Sequence, residues 1–254
     1  MGHAARSLDH QSRKLAAGCC VLFKEFWGVA KQFEALATAT SLDELALMME
    51  EAGIWLRIDP EIMPTMIHGA TLSVHELEAL RRIKDIVRLG RVRAIEPDLL
   101  LMSGGEVPAP NGSLYIDCTA SALQYSGDPG PVFTEDRIGI QMVRLYQPAF
   151  SAAMIAKIES LECSLKEKNA MARPVDMTDS VKSWVERQIA GGMNQFAWAQ
   201  HPDIKPWISK CRLDAFGRAA RDVDRSDPEA KAIFASIQAN LMPSMANIQK
   251  LLAS

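Results

Sequence analysis

The chain has 254 residues, 48% of them hydrophobic and 23% charged, with a formal net charge of −3. That is an ordinary globular composition, with apolar material enough for one large domain or two modest ones. The slight acidity gives no general drive toward nucleic acid or an anionic membrane, and no apolar run approaches the roughly 18 residues of a membrane span.

The first pattern runs from about residue 15 to 37, where Leu15, Cys19, Leu22, Phe23, Phe26, Ala30, Phe33 and Ala37 recur at helical spacing. Ser41-Leu-Asp-Glu44 is a capping box, in which the hydroxyl accepts from the amide three residues on and the glutamate reaches back. The helix it opens should stop near Gly53. Residues 54–58 are short, apolar and β-like, and Pro60 and Pro64 interrupt the next stretch of chain. Ser73-Val-His-Glu76 is a second capping box, starting a helix through Leu77, Leu80 and Ile83.

At residue 86 the period changes from helical to extended. Residues 86–89, 91–95, 99–102 and 114–117 are strand candidates, separated by Gly90, Glu96-Pro97-Asp98, Gly104-Gly105 and Pro110-Asn111-Gly112. Residues 126–131 read as a loop, and 137–144 as one more strand with Ile138, Ile140 and Met142 on one face. From Pro148 the chain reads as helical to its end, with Phe150, Met154, Ile155, Ile158 and Leu161 on one face and a break at Arg173-Pro174. Shorter helices are expected over 179–190, 194–200, 204–210, 228–239 and 244–252. The expected fold class is therefore mixed α/β and mostly helical. A helical front over 1–85, a β-rich meander or sheet over 86–147 (its strands within about 86–144) and a helical rear over 148–254 would form one continuous globular unit.

The middle segment carries a family likeness. Arg88-Leu-Gly-Arg-Val-Arg-Ala-Ile95, then LLLMSGGEVP, then LYIDCTAS resembles, in that order, a stretch of FAD/NAD(P)-binding oxidoreductases of the two-dinucleotide-domain, flavin monooxygenase-like type. There a strand, a hairpin and a return strand ending in an Asp-Ala-Thr-Gly-like turn succeed one another. Asp117-Cys118-Thr119-Ala120-Ser121 stands here in place of that turn, with Thr119 matching and the glycine replaced. The likeness covers about residues 86–150. It implies a partial two-dinucleotide-domain flavoprotein fold, FAD and NAD(P) as cofactors of the full-length family, and Asp117, Thr119 and Ala120 near the cofactor. A strand end with small residues suits that task because the backbone can approach the dinucleotide closely. The same residues also describe a plain strand end with an Asx-type turn.

The Gly-rich turn that would hold the pyrophosphate is missing from the sequence. Gly104-Gly105 falls in a hairpin and Gly191-Gly192 between expected helices, so neither follows a strand and opens a helix. The chain thus reads as the C-terminal, substrate-side portion of such an oxidoreductase, with Met1 inside an ancestral longer chain. No tight binding of FAD or NADPH by this chain alone is expected, and no catalytic residue can be assigned.

Other chemistry-bearing residues are weakly patterned. His68 has a near-neutral unperturbed pKa but no partner motif, and reads better as a structural histidine. Arg81, Arg82, Arg88, Arg91 and Arg93 could bind a phosphate of NADP, although the two-residue spacing of Arg91 and Arg93 more simply describes a solvated strand face. Trp184, Trp198 and Trp207, with Met193 and Phe196, suit either an aromatic pocket or helical core packing. Five irregularly spaced cysteines, including the vicinal Cys19-Cys20, make no disulfide framework, and five histidines make no zinc pattern, so a reducing cytoplasm fits and no metal is expected.

A different class of function is also compatible. The chain could be a non-catalytic helical interaction protein that packs the apolar face of a small sheet against a partner chain, or against a second copy of itself. If a nucleotide domain has been lost, Leu114 and Ile116 should lie on an exposed strand edge and promote self-association unless a partner, or the helical front with Phe23, Phe26 and Phe33, covers it.

Overall fold

A computed structural model of the chain describes residues 17–67, 69, 71–118, 130–175, 177 and 179–253, with side chains from Phe26 onward. The elements run α1 (Ala17–Thr38), α2 (Leu42–Glu51), α3 (Val74–Leu80), β1 (Val92–Ile95), β2 (Leu99–Met102), β3 (Gly105–Pro108), α4 (Pro148–Glu159), α5 (Leu165–Met171), α6 (Val181–Gln200), α7 (Ile204–Lys210), α8 (Ala215–Asp222) and α9 (Pro228–Ala253). The fold is mixed α/β and mostly helical. Every strand among the described residues lies within 86–144, as the change of period indicates.

Helix starts follow their capping chemistry. At α3 the Ser73 hydroxyl accepts from the Glu76 amide at 3.2 Å while the Glu76 carboxylate accepts from the Ser73 amide at 2.8 Å. The same reciprocal pair, Ser164 with Glu167, opens α5. At α2 only half of the expected box forms: Ser41 accepts from the Glu44 amide, but the Glu44 carboxylate turns to the amide and hydroxyl of Thr40. Gly53, with φ 66°, then lets the chain leave α2 in the left-handed region.

Two expected helix breaks are absent. Residues 179–190 and 194–200 merge into α6, which runs through Gly191-Gly192, and 228–239 and 244–252 merge into α9, which runs through Pro243. Each glycine costs about 1 kcal/mol in a helix interior and proline about 3. Burial of Trp184, Val185, Asn194 and Trp198 along α6, and of Ile233, Ser244, Ile248 and Leu251 along α9, offsets that. Met245 also packs where a side chain at Gly192 would begin.

The chain divides into two compact units, one of Met1–Thr71 with Pro129–Ser254 and one of Leu72–Asp128. The first is helical and well cored. Its α4 buries Phe150, Met154, Ile155 and Ile158, the face read from the sequence, against Val132, Phe133, Val143, Trp198 and Ile204. A second cluster joins Leu36 and Ala39 to Leu45, Met49, Trp184 and Ile248. Helix α9 packs along α1, and Asn247 donates to the Leu36 and Ala39 carbonyls at 3.0 and 2.7 Å, closing the end of α1.

The second unit holds the sheet. Its strands are antiparallel in the order β1-β2-β3. Ser103-Gly104 connects β2 to β3, with Met102 opposite Gly105 and Leu99 opposite Pro108. A bulge interrupts β1 between Val92 and Ala94. Gly90, at φ 79°, lies where any side chain would strike the Ser103 hydroxyl, which accepts from the Arg91 amide at 2.9 Å.

The sheet is narrower than the expected meander over 86–144. Residues 86–89 and 114–117 are not strands, and of 137–144 only Ile138 makes an isolated bridge, to Phe133. In that last segment helix side chains take the place of a neighbouring strand: Ser151 Oγ accepts from the Val143 and Arg144 amides, and Asn194 donates to the Val143 carbonyl at 2.9 Å. Residues 114–117 follow the Asn111-Gly112 turn as expected but meet no strand to pair with among the described residues. Residues 54–58 likewise form no strand.

Candidate functional site

Of the residues implied as cofactor contacts, Asp117 does not lie at a strand end. Asp117 is exposed on irregular chain, and Thr119 and Ala120 lie outside the described residues, as does His68. The preceding side chains stand in the open: Leu114 is 84% exposed and Ile116 74%. A dinucleotide phosphate needs a strand, a Gly-rich turn and a helix N-terminus in succession. Gly104-Gly105 joins two antiparallel strands and Gly191-Gly192 lies inside α6, so neither pair fits that group.

The sheet unit is marked by how little it buries. Among its described residues, Leu77 and Ala109 are the buried apolar side chains, whereas Val74, Ile83, Ile86, Val92 and Ile95 join Leu114 and Ile116 among the exposed ones. Arg81, Arg82, Arg88, Arg91 and Arg93 are all exposed in the same unit, which agrees with a solvated face.

The densest polar cluster lies in the helical unit. Arg144 Nη1 donates to Asp214 Oδ1 at 2.8 Å, with side chains 16% and 5% exposed. The guanidinium lies 3.8 Å from the Phe150 ring centroid and 5.3 Å from that of Trp198. Asp214 also accepts from the Gly217 amide, so one carboxylate neutralises Arg144 and caps α8. A side chain at Gly217 would collide with that carboxylate. Nearby, the fully buried Asn194 accepts from the Arg173 amide and donates to the Val143 and Arg173 carbonyls. Trp198 Nε1 donates to the Met171 carbonyl at 2.7 Å. Tyr146, at φ 58°, lays its ring over Gly69 just before Pro148 opens α4.

This cluster joins elements from distant parts of the chain. Its carboxylate is shared between a guanidinium and a backbone amide, and the Ser151 hydroxyl beside it accepts from the Val143 and Arg144 amides. Trp198 and Trp207 gather around Phe150, with centroids 5.8 and 6.4 Å from its ring, while Trp184 packs edge-on to Trp55 in the other cluster. Met193 and Phe196 are exposed at 43% and 69%, so the five residues form no common pocket. A shallow apolar depression between Phe26, Val223, Ala230, Ile233 and Phe234 encloses essentially no volume, whereas ligand pockets begin at roughly 300 Å³. Among the described residues no three His, Cys, Asp or Glu side chains come together as metal ligands, and no helix is long and apolar enough to cross a membrane.

No signal in the sequence pairs Arg144 with Asp214, which lie 70 residues apart. The sequence reading names no helix at α8, although Asp214, which precedes it as an N-cap residue, was the signal that could have marked its start.

The chain is 41% identical over 192 residues to uncharacterized proteins of Mycobacterium tuberculosis and Mycobacterium bovis, among them Rv2000 and Mb2023. The match covers 76% of this chain and 35% of each relative, so the matched stretch spans about a third of their length. No family model and no solved structure matches.

Proposed function

We propose that this chain is a docking portion, non-catalytic by itself, whose sheet unit packs its apolar surface against a partner chain. The observation that carries this reading is the exposure of Leu114 and Ile116, at 84% and 74%, in a unit with so few buried apolar side chains. Fully burying a Leu or Ile side chain stabilises by about 1.5–3 kcal/mol, so a partner covering both gains several kcal/mol. Light scattering at micromolar concentration tests it. Association that rises with concentration, and falls in a Leu114→Ser, Ile116→Ser double variant, is expected. A monomer at all concentrations, with slow amide exchange throughout 114–117, overturns it.

A second reading has its own support. The hairpin of β2 and β3 stands where the likeness to FAD/NAD(P)-dependent oxidoreductases calls for one. On that reading the chain is the substrate-side portion of a monooxygenase-like protein, acting in the cytoplasm. Asp117, Thr119 and Ala120 would then approach FAD and NAD(P) held by another portion, where those cofactors supply the redox chemistry. Calorimetric titration of this chain with FAD or NADPH should show no sub-micromolar binding. A dissociation constant at or below about 1 μM, near −8 kcal/mol, refutes the division of labour.

A further inference from the structure

The segment from Arg81 to Arg93, RRIKDIVRLGRVR, holds six cations and a single acid, Asp85, in a chain whose overall charge is −3. All six are exposed. Among the described residues, Arg82, Lys84, Arg91 and Arg93 make no ion pair. Four aliphatic side chains lie between them in the open: Ile83 at 57% exposure, Ile86 at 46%, Val87 at 50% and Val92 at 51%.

A solvated face needs the charges but not the aliphatic groups. Cations and exposed aliphatics together make a surface that gains from meeting carboxylates and apolar groups at once. Five of the six cations are arginines, whose planar guanidinium takes a carboxylate through two parallel hydrogen bonds and keeps its charge at any working pH. A second copy of the strand is a poor occupant. The segment ends in β1, an edge strand, and pairing with its own copy would set Arg91 and Arg93 against like charges. The bulge between Val92 and Ala94 also bends the edge away from strand addition.

From this we infer that residues 81–93 dock an acidic segment of a different protein, one that interleaves carboxylates with aliphatic side chains. The inference deepens the docking reading and rests on it, adding the chemistry of the partner at residues other than Leu114 and Ile116.

Fluorescence anisotropy with the full chain tests it, using a labelled peptide of alternating Glu and Val and a control of alternating Lys and Val. The acidic peptide should bind with a dissociation constant of about micromolar order, and the control should not. Binding should weaken about tenfold in an Arg91→Glu, Arg93→Glu double variant and at about 0.5 M salt. An Arg82→Glu, Lys84→Glu double variant should weaken it similarly. These exposed positions leave the helical circular dichroism unchanged, so a loss reports binding. No binding of the acidic peptide, equal binding of both peptides, or indifference to both double variants overturns the inference. So does preferential, Arg91- and Arg93-dependent binding to phosphatidylserine vesicles, which would assign the surface to lipid. A chain that self-associates through Leu114 yet ignores the acidic peptide keeps the docking reading and refutes this one. A monomeric chain with slow amide exchange throughout 114–117 that still binds the peptide keeps this surface and refutes the role given to Leu114 and Ile116.

Discussion

In the helical unit Phe150, Met154, Ile155 and Ile158 of one helix each keep 1% or less of their surface, while in the sheet unit Leu114 and Ile116 keep 84% and 74%. Both sets are ordinary aliphatic and aromatic residues, so composition does not separate them. Neighbours do. Helix α4 lies among Trp198, Ile204 and Phe133, which surround its apolar stripe, whereas residues 114–117 extend past the last turn of a three-stranded sheet with no strand beside them among the described residues. One unit is held by its own core. The other has apolar surface still to be matched, and that is what makes it the candidate for interaction.

The contrast breaks most readily at Phe150. Phe150→Ala should destabilise the helical unit by about 4 kcal/mol, through the cavity and the loss of the ring under Arg144. Urea unfolding followed by tryptophan fluorescence measures this, and a cost below about 1 kcal/mol would show that the core is loosely packed. Asp214→Ala comes next, at about 3 kcal/mol, because it leaves Arg144 largely buried without its carboxylate and α8 without its cap. The double variant Asp214→Ala, Arg144→Met should recover much of that, which a purely local capping effect would not allow.

Smaller effects sharpen the comparison inside the sheet unit. Ser73→Ala should cost about 1 kcal/mol at α3, read as faster amide exchange over Val74–Leu80. Its partner adds a pH dependence. Hydrogen bonds from the Ser73 hydroxyl and amide hold the Glu76 carboxyl below its ordinary value. The stabilisation is therefore complete above the unfolded carboxyl's pKa of about 4.3 and fades as pH falls through the lower folded value. Wild type and Glu76→Gln should differ in α3 exchange at pH 7 and converge in acid. At the bottom of the scale, Leu114→Ala should change stability by less than about 0.5 kcal/mol while reducing association. A large loss of stability there would mean that Leu114 is already covered.

What was legible in the sequence was whatever is decided within a few residues. The Ser73 box, the α4 stripe and the β2 boundaries rest on local bonding and period; the equally local Ser164 box that opens α5 was passed over. What was not legible depends on distant partners. Gly191-Gly192 and Pro243 read as breaks until the packing of α6 and α9 overrides them. Residues 137–144 alternate like a strand, but Asn194, 51 residues beyond Val143, takes up the carbonyl a neighbouring strand would have used. The pairing of Arg144 with Asp214 has no local sign at all. Of the residues tied to the cofactor likeness, Asp117 sits on irregular, exposed chain, because a strand pattern forms no strand without a neighbour.

Asn247 sets a timetable for the chain. Its carboxamide closes the Leu36 and Ala39 carbonyls from 211 and 208 residues downstream. At synthesis rates of about 5–20 residues per second, α1 leaves the ribosome about 10–40 s before the residue that finishes it. During that interval Phe26, Ala30 and Leu36 lack the side chains of α9 that later bury them. Until α9 has been synthesised, the nascent chain is therefore open to chaperone capture at α1.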